Sequence, residues 1–398
     1  MKLMRNICFV QQDPSIRIYM QAKALRATKK YKLLLICEKC NYDLLETIFD
    51  EIIFYGFIKN KDNNFLSRSC NFAFNKVINY GEKKLKSIVN NIEVDIFHAH
   101  AEPNNIPRIV IENSNKPSVF DGQDFTGITA GIENLDRRTR EDEKYCFEHA
   151  EGICHKGPQS ELDYYRQHGY KIESPDLQWW GCCEEELFAD INTKKLSEED
   201  GEIHLVYIGS VSTDPKYEYK NFIPLIKELA KQKIHLDIYP SNPLEYRKAT
   251  DYIELEKKVH YFHFHKHILY NELSKEIAKY DWGIDIVKNI QGERLTDEKA
   301  KVAMGAKFFG YLEAGIPVIV SHHYTLIKDF VETNQIGFSV KDTEIDQIGE
   351  MIKTYDPMKL KENIIKTREI FLSGHQGKSL EEFYQKIIIR SGEKYVSG

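Results

Sequence analysis

The chain has 398 residues, a length that suggests two or three domains. Lysine and arginine total 55 against 61 aspartates and glutamates, and a formal charge of −6 argues against wrapping nucleic acid as the main task. Apolar residues at 42% and aromatics at 12% are enough for sizeable cores and speak against intrinsic disorder. The apolar run Ile7–Val10 is too short for the core of a signal peptide. No run approaches the roughly 20 residues of a membrane span. A soluble, cytoplasmic globular protein is expected.

From the N-terminus, short apolar runs alternate with helical periods. Strands are predicted at Ile7–Val10, Lys32–Ile36, Ile52–Tyr55, Asp95–His98, Ser118–Phe120 and Gly152–Cys154. Amphipathic stretches such as Ile16–Thr28 and Gly81–Asn91 lie between them. This alternation predicts a parallel sheet covered on both faces, so residues 1–190 form one doubly wound α/β domain. The polar stretch ADINTKKLSEEDGE carries no apolar period and places a linker at 191–202. The alternation then restarts with strands at His204–Gly209, Ile234–Pro240, Trp282–Val287, Ile316–Val320 and Gly337–Val340. Helices at Asn221–Lys231, Asn271–Lys279, Ala306–Ala314 and Tyr324–Thr333 separate them, giving a second domain over 203–375. Residues 376–398, periodic over Ser379–Arg390, predict a C-terminal helix packing back on the body. The expected fold class is α/β, two doubly wound Rossmann-like domains facing across a cleft, with ligands at the carboxyl ends of the strands.

Eight cysteines without an export signal are expected to be reduced. Cys37 and Cys40 form a lone CxxC, whereas a structural zinc usually needs two such pairs. Cys182-Cys183 and Cys154-His155 lack that spacing. His263, His265 and His267 alternate and would share a strand face, but no carboxylate is interleaved to orient them. A polar strand face is the simpler reading, and no metal site is predicted.

The segment GAKFFGYLEAGIPVIVSHH, Gly305 to His323, carries the most chemistry. A helix beginning near Gly305–Lys307 would present unpaired N–H groups and a positive dipole to a phosphate. Gly305 permits close backbone approach, and Lys307 adds a compact cation. This segment resembles GT-B glycosyltransferases, particularly the retaining family 4-like group (group 1). That group has Asn-Lys-hydrophobic-hydrophobic-Glu-Tyr-x-x-x-Gly-x-Pro-Val. The lysine, the aromatic Tyr311 and the turn Gly315-Ile316-Pro317-Val318 are kept. Gly310 and Val302 stand where the paired glutamates would be, and Glu313 lies one helical turn beyond Gly310. Val206–Asn221 resembles the opening strand and loop of the donor domain, with Gly209, Ser210 and Lys220-Asn221 at its key places. Asp95–Asn105 resembles the acceptor-domain strand ending in His-x-His, and His100 matches the histidine beside the reacting centre. Ser118–Phe125 resembles the next strand, with Asp124 in its exit loop, and Ala150–Tyr170 the elements that close the first domain. The first loop, Gln11–Gln21, has Gln12 and Asp13 where many relatives have Gly-Gly.

The resemblance implies a retaining, metal-independent, hexosyltransferase-like enzyme. It would move a sugar from a nucleotide sugar to a glycan, lipid-linked or protein acceptor, with no cofactor beyond the donor. Lys307, Lys220 and Gly305 would stabilise the leaving diphosphate, and Gly209, Ser210 and Glu313 would line the donor. His100 and Asp124, with Gln12 and Asp13 in the loop, would serve the acceptor-side domain. A nucleotide-sugar epimerase of the same fold, and a degenerate nucleotide-sugar or partner-binding protein, are the alternatives. Arg17, Lys23, Arg26, Lys29, Lys30 and Lys32 follow one another with no acidic residue among them. Lys23, Arg26, Lys29 and Lys30 cluster on one side of helix 16–30, with Met20, Ala24 and Ala27 opposite. At about 1 kcal/mol per basic residue, that face could dock on an anionic inner membrane surface; a solvated helix face is the plainer reading.

Overall fold

In the computed structural model, residues 6–40, 43–56, 71–241, 243–286 and 297–396 are described. The apolar runs of the first half become parallel strands β1 (Asn6–Val10), β2 (Lys32–Cys37), β3 (Glu51–Phe54), β4 (Ile96–His100), β5 (Ser118–Gly122), β6 (Gly152–His155) and β7 (Asp176–Gln178). Their order is β3-β2-β1-β4-β5-β6-β7. Every residue of β4 and β5 is buried, as a sheet covered on both faces requires. Strand β7 escaped sequence reading because its three residues, Asp-Leu-Gln, carry no apolar run. The second half gives β8 (Ile203–Ile208), β9 (Ile234–Tyr239), β10 (Phe262–Phe264), β11 (Trp282–Asp285), β12 (Val318–Ser321) and β13 (Gly337–Val340). These pair in the order β10-β9-β8-β11-β12-β13, again all parallel. The predicted strand end at Val287 lies outside the described residues.

Strand order therefore reverses between β1 and β4 in one sheet and between β8 and β11 in the other. Ligands of open α/β sheets bind at such switch points, outside the carboxyl ends of the strands.

The chain divides into unit 1, Met1–Gly181 with Ser373–Gly398, and unit 2, Cys182–Leu372. Unit 2 is thus inserted into unit 1. The predicted linker at 191–202 is corrected. Leu196 N–H donates to Lys279 O at 2.9 Å and Lys195 Nζ donates to Tyr280 O at 3.0 Å, so this stretch is built into unit 2. The entry and exit segments of unit 2 meet, with Cys183 N–H donating to Phe371 O at 2.7 Å.

The last helix, Ser373–Val396, packs within unit 1 against the helix Ile16–Ala27. A Cβ at Gly377 would lie 2.0 Å from the carbonyl oxygen of Ala24, so only glycine permits this approach. Several residues of the basic stretch expected to form a membrane face have partners within the fold. Arg17 is buried, Arg26 pairs with Asp50 at 2.7 Å, Lys30 with Glu381 at 2.8 Å and Lys32 with Glu51 at 3.2 Å. Of the face formed by Lys23, Arg26, Lys29 and Lys30, acidic residues of the fold thus pair with Arg26 and Lys30. No helix among the described residues is long and apolar enough to cross a membrane.

Candidate functional site

In unit 2, the segments around Gly209, Asp285 and Gly305 converge at the switch point between β8 and β11. Lys307 opens the helix Lys307–Ala314, and its Nζ donates to Asp285 Oδ1 at 2.8 Å. The ammonium also lies 4.6 Å from the centroid of the Tyr207 ring. Burial works against its charge, but the attraction of Asp285, with Tyr207 and Tyr311, holds the Lys307 pKa well above the usual lysine value. A cation is therefore fixed at the carboxyl ends of the central strands β8 and β11. A Cβ at Gly305 would come 3.2 Å from Asp285 Oδ2, so the glycine keeps the backbone close to the pair. Gly209 ends β8 at φ +146°, a conformation that leaves no room for a side chain beside the Tyr207 hydroxyl. Tyr311 locks the floor, its hydroxyl donating to Ile284 O at 2.8 Å and approaching Val206 O at 3.3 Å. Strands β8 and β11 are thereby held in register beneath Lys307.

Other expected donor residues are arranged differently. Tyr207 OH donates to Ser210 O at 3.2 Å, and Ser210 Oγ meets Ser241 Oγ at 3.0 Å, so Ser210 belongs to the same rim. The Lys220 carbonyl accepts from Ser212 N–H at 3.0 Å and from Tyr252 OH at 3.3 Å, which fixes the loop after β8. Gly310 presses on β8, where a Cβ would already sit 3.1 Å from Ile208 Cδ1. A glutamate there would have to displace that packing. Glu313 requires a correction as a donor residue: it is 1% exposed at the far end of the helix and accepts from Glu184 N–H at 3.0 Å. Burial raises its pKa to about 8, against the lowering pull of that hydrogen bond. A carboxyl of ordinary pKa ~4.3 when unfolded and about 8 when folded makes stability fall as pH rises between those values. Glu313→Gln should flatten that decline, read as melting temperature against pH; an unchanged slope would show that Glu313 is ionised in the fold.

In unit 1 the equivalent switch point joins β1 and β4. Buried Gln11, one residue beyond β1, donates to Ala101 O at 3.2 Å across it. Gln12 and Asp13 point instead to the loop after β2, bonding Glu38 and, at 2.8 Å, Lys39. Beneath the rim lies a network that sequence reading missed. Asp121 of β5 accepts from Arg17 Nε, Gln21 Nε2 and His98 Nε2, each at 2.7 Å. Arg17 also donates to Trp179 O at 2.7 Å. Desolvation would raise the Asp121 pKa, but Arg17, His100 and His98 hold it well below the usual carboxylate range. An ionised Asp121 fixes the His98 tautomer with its proton on Nε2, so Nδ1 accepts from Tyr384 OH.

His100 stacks on His98 with ring centroids 4.9 Å apart. Its Nδ1 is 3.8 Å from Asp121 Oδ1, too far for a hydrogen bond, and its buried Nε2 has no partner among the described residues. Burial lowers its pKa to about 3, so the ring is neutral at physiological pH. A neutral imidazole at the carboxyl end of β4 with an idle nitrogen can give or accept one hydrogen bond. Asp124, two residues past β5, pairs with Lys156 at 3.3 Å. His98, Asp121 and Cys154 have ligand atoms within 4.8 Å of one another. Arg17 already neutralises Asp121, and burial pushes the Cys154 thiol well up, so a cation would have to displace a guanidinium.

Asp121 and Asp285 share a signal available in the sequence: a single carboxylate near the end of an otherwise apolar strand.

Residues 223–381 match the family model described as the glucosyltransferase 3-like C-terminal domain. No curated protein matches the chain in sequence. Among solved structures, the chain is similar to HepE from Anabaena, solved in complex with UDP-glucose. That match has a TM-score of 0.63 at 14% identity, covering 99% of this chain and 100% of the other. The fold is GT-B. A glycosyltransferase from Rickettsia africae matches with a TM-score of 0.62 at 13% identity over 97% of this chain and 99% of its own. Sucrose-phosphate synthase from Thermosynechococcus elongatus gives 0.60 at 11% identity, over 99% and 98%. The sequence resemblance to GT-B glycosyltransferases thus holds in the fold and in the C-terminal domain.

Proposed function

We propose that the chain is a sugar-nucleotide-dependent glycosyltransferase that takes a UDP-sugar donor. The observation that carries this reading is the Gly305–Lys307–Asp285–Tyr207 arrangement at a switch point, inside a unit largely covered by a glucosyltransferase domain model. Breaking the sugar–phosphate bond builds negative charge on the leaving diphosphate. A fixed ammonium and the first N–H groups of a helix stabilise that charge without reorganising. On this reading Lys307 turns from Asp285 toward the phosphate, Gly305 admits the phosphate to the backbone, and Lys220 adds a second cation. His100 contacts the transferring sugar or the acceptor hydroxyl through its idle Nε2. The chemistry asks for no divalent metal, and retention of the anomeric configuration is carried over from the family resemblance. The acceptor is a glycan, a lipid-linked sugar or a protein side chain.

The test is UDP release from a panel of UDP-sugars, with and without candidate acceptors and before and after chelation. Acceptor-dependent release that survives chelation supports the proposal. Interconversion of the sugar without release points to an epimerase. Inertness across the panel points to a binding protein, a reading favoured by the packing of Gly310 where the family places a carboxylate. In the active case His100→Ala should lower transfer at least about tenfold with donor affinity nearly unchanged. Wild-type transfer in that variant would take His100 out of the site.

A further inference from the structure

At the amino ends of the unit 2 strands, away from Lys307, lies a cavity of about 480 Å³. Ile203 and Trp282, the first residues of β8 and β11, line it together with Pro317, just before β12. Ile352, Tyr355, Leu360 and Ile364 supply the rest of the apolar lining, and the polar stretch 191–198 faces the same space. There is room for about 16 groups of water size at ~30 Å³ each, which is within the range of small-ligand sites. Two of the lining residues are lysines. Lys195 Nζ donates to Ala278 O at 2.6 Å and to Tyr280 O at 3.0 Å, which leaves the third N–H of its ammonium for another acceptor. Lys361 Nζ donates to the neutral Oδ1 of Asn192. Among the described residues, neither lysine has a carboxylate within ion-pair distance. Burial pushes the Lys195 pKa down to about 8 against the pull of Asp281 and Glu198, and Lys361 adds to the lowering. The acids of the lining are already engaged. Asp281 accepts from Ser197 Oγ and, at 2.8 Å, from His204 N–H, while Glu198 accepts from Lys195 N–H at 2.9 Å.

From this geometry we infer a binding site for a small amphiphilic carboxylate, with its head on Lys195 and Lys361 and its apolar body against Trp282, Tyr355, Leu360 and Ile364. A partly desolvated ammonium bonded only to neutral oxygens gains from a charged acceptor, because charge-assisted hydrogen bonds are about twice as strong as neutral ones. The apolar side of the cavity is preformed. Trp282 and Tyr355 meet edge to face with centroids 5.8 Å apart, and Phe338 stacks on Tyr355 at 5.0 Å. The lining also selects against other classes of ligand. A sugar would leave hydroxyls without partners against Ile352, Leu360 and Ile364. A nucleoside diphosphate would bring several negative charges up to Glu198 and Asp281. Strand β11 runs from Trp282 in this cavity to Asp285 beside Lys307, so the two sites lie at opposite ends of one strand.

The full chain would be titrated by calorimetry and thermal melting with decanoate, which has both head and body, with decanol, which lacks the charge, and with acetate, which lacks the body. One decanoate per chain and a higher melting temperature are expected, with decanol and acetate at least tenfold weaker. Lys361→Gln should weaken decanoate at least tenfold and leave the ligand-free melting temperature unchanged, since that ammonium reaches only an exposed asparagine. Lys361→Arg, which keeps the charge, should restore binding. Hydrogen exchange of the unmodified chain locates the ligand, with decanoate slowing exchange over 191–198 and 352–364. The site is overturned by an absence of saturable binding, by decanol binding as well as decanoate, by full affinity in Lys361→Gln, or by protection confined to other segments.

Discussion

Lys307→Ala should slow sugar transfer by on the order of 10²-fold or more, about 3 kcal/mol of transition-state stabilisation. It should also destabilise the protein, because Asp285 is left nearly buried without its cation. Losing one member of a fully buried pair costs roughly 3–5 kcal/mol; Lys307 keeps 22% exposure, so about 2 kcal/mol is expected. The sequence alone suggests an exposed lysine with little packing, and the Asp285 pair reverses that expectation. A double variant with Asp285→Asn separates the two effects: it should regain most of the melting temperature and none of the transfer rate. Recovery of transfer in the double variant would show that Lys307 serves only to neutralise Asp285.

Asp121→Ala should give a large loss of stability in unit 1. It strips Arg17, His98 and Gln21 of their shared acceptor at once, an effect of about 3–5 kcal/mol. Its pH dependence has a definite sign. The folded pKa of Asp121 is depressed, so its stabilisation is complete well above the unfolded value of ~3.9 and fades as pH falls toward the folded one. The melting-temperature gap between wild type and variant should therefore narrow below about pH 4. A gap that stays constant through that range would mean that the carboxylate is not the charged centre of the network.

The sheets were legible because buried parallel strands are continuous apolar runs, and Ile7–Val10 or Ile234–Tyr239 have little other use for such composition. Short polar strands were not, as β7 shows. As candidate site residues, Gly305, Lys307, Gly209 and His100 could be proposed from the sequence because local motifs carry them. Their partners come from elsewhere in the chain: Asp285 lies 22 residues before Lys307, and Arg17 lies 104 residues before Asp121. Glu313 was misassigned because helical spacing gives a direction, while the segment around Glu184 that fills that direction is distant in sequence. The histidine row at 263–267 looked devoid of carboxylates for the same reason. Asp237 on the neighbouring strand bonds His265, and Glu202 reaches His235 behind His263.

The insertion of unit 2 into unit 1 sets a timetable for biosynthesis. When residue 181 leaves the ribosome, the helix Ile16–Ala27 has nothing to pack beside Ala24, and His98 lacks the hydroxyl of Tyr384. Those partners are translated only after all of unit 2, a delay of about 10–40 s at ordinary elongation rates. Unit 2 has no such wait, because its sequence is continuous and Cys183 near its start pairs with Leu372 at its end. The nascent chain thus completes its second unit before its first, and in the interval the uncovered Ile16–Ala27 surface is where a chaperone would be needed.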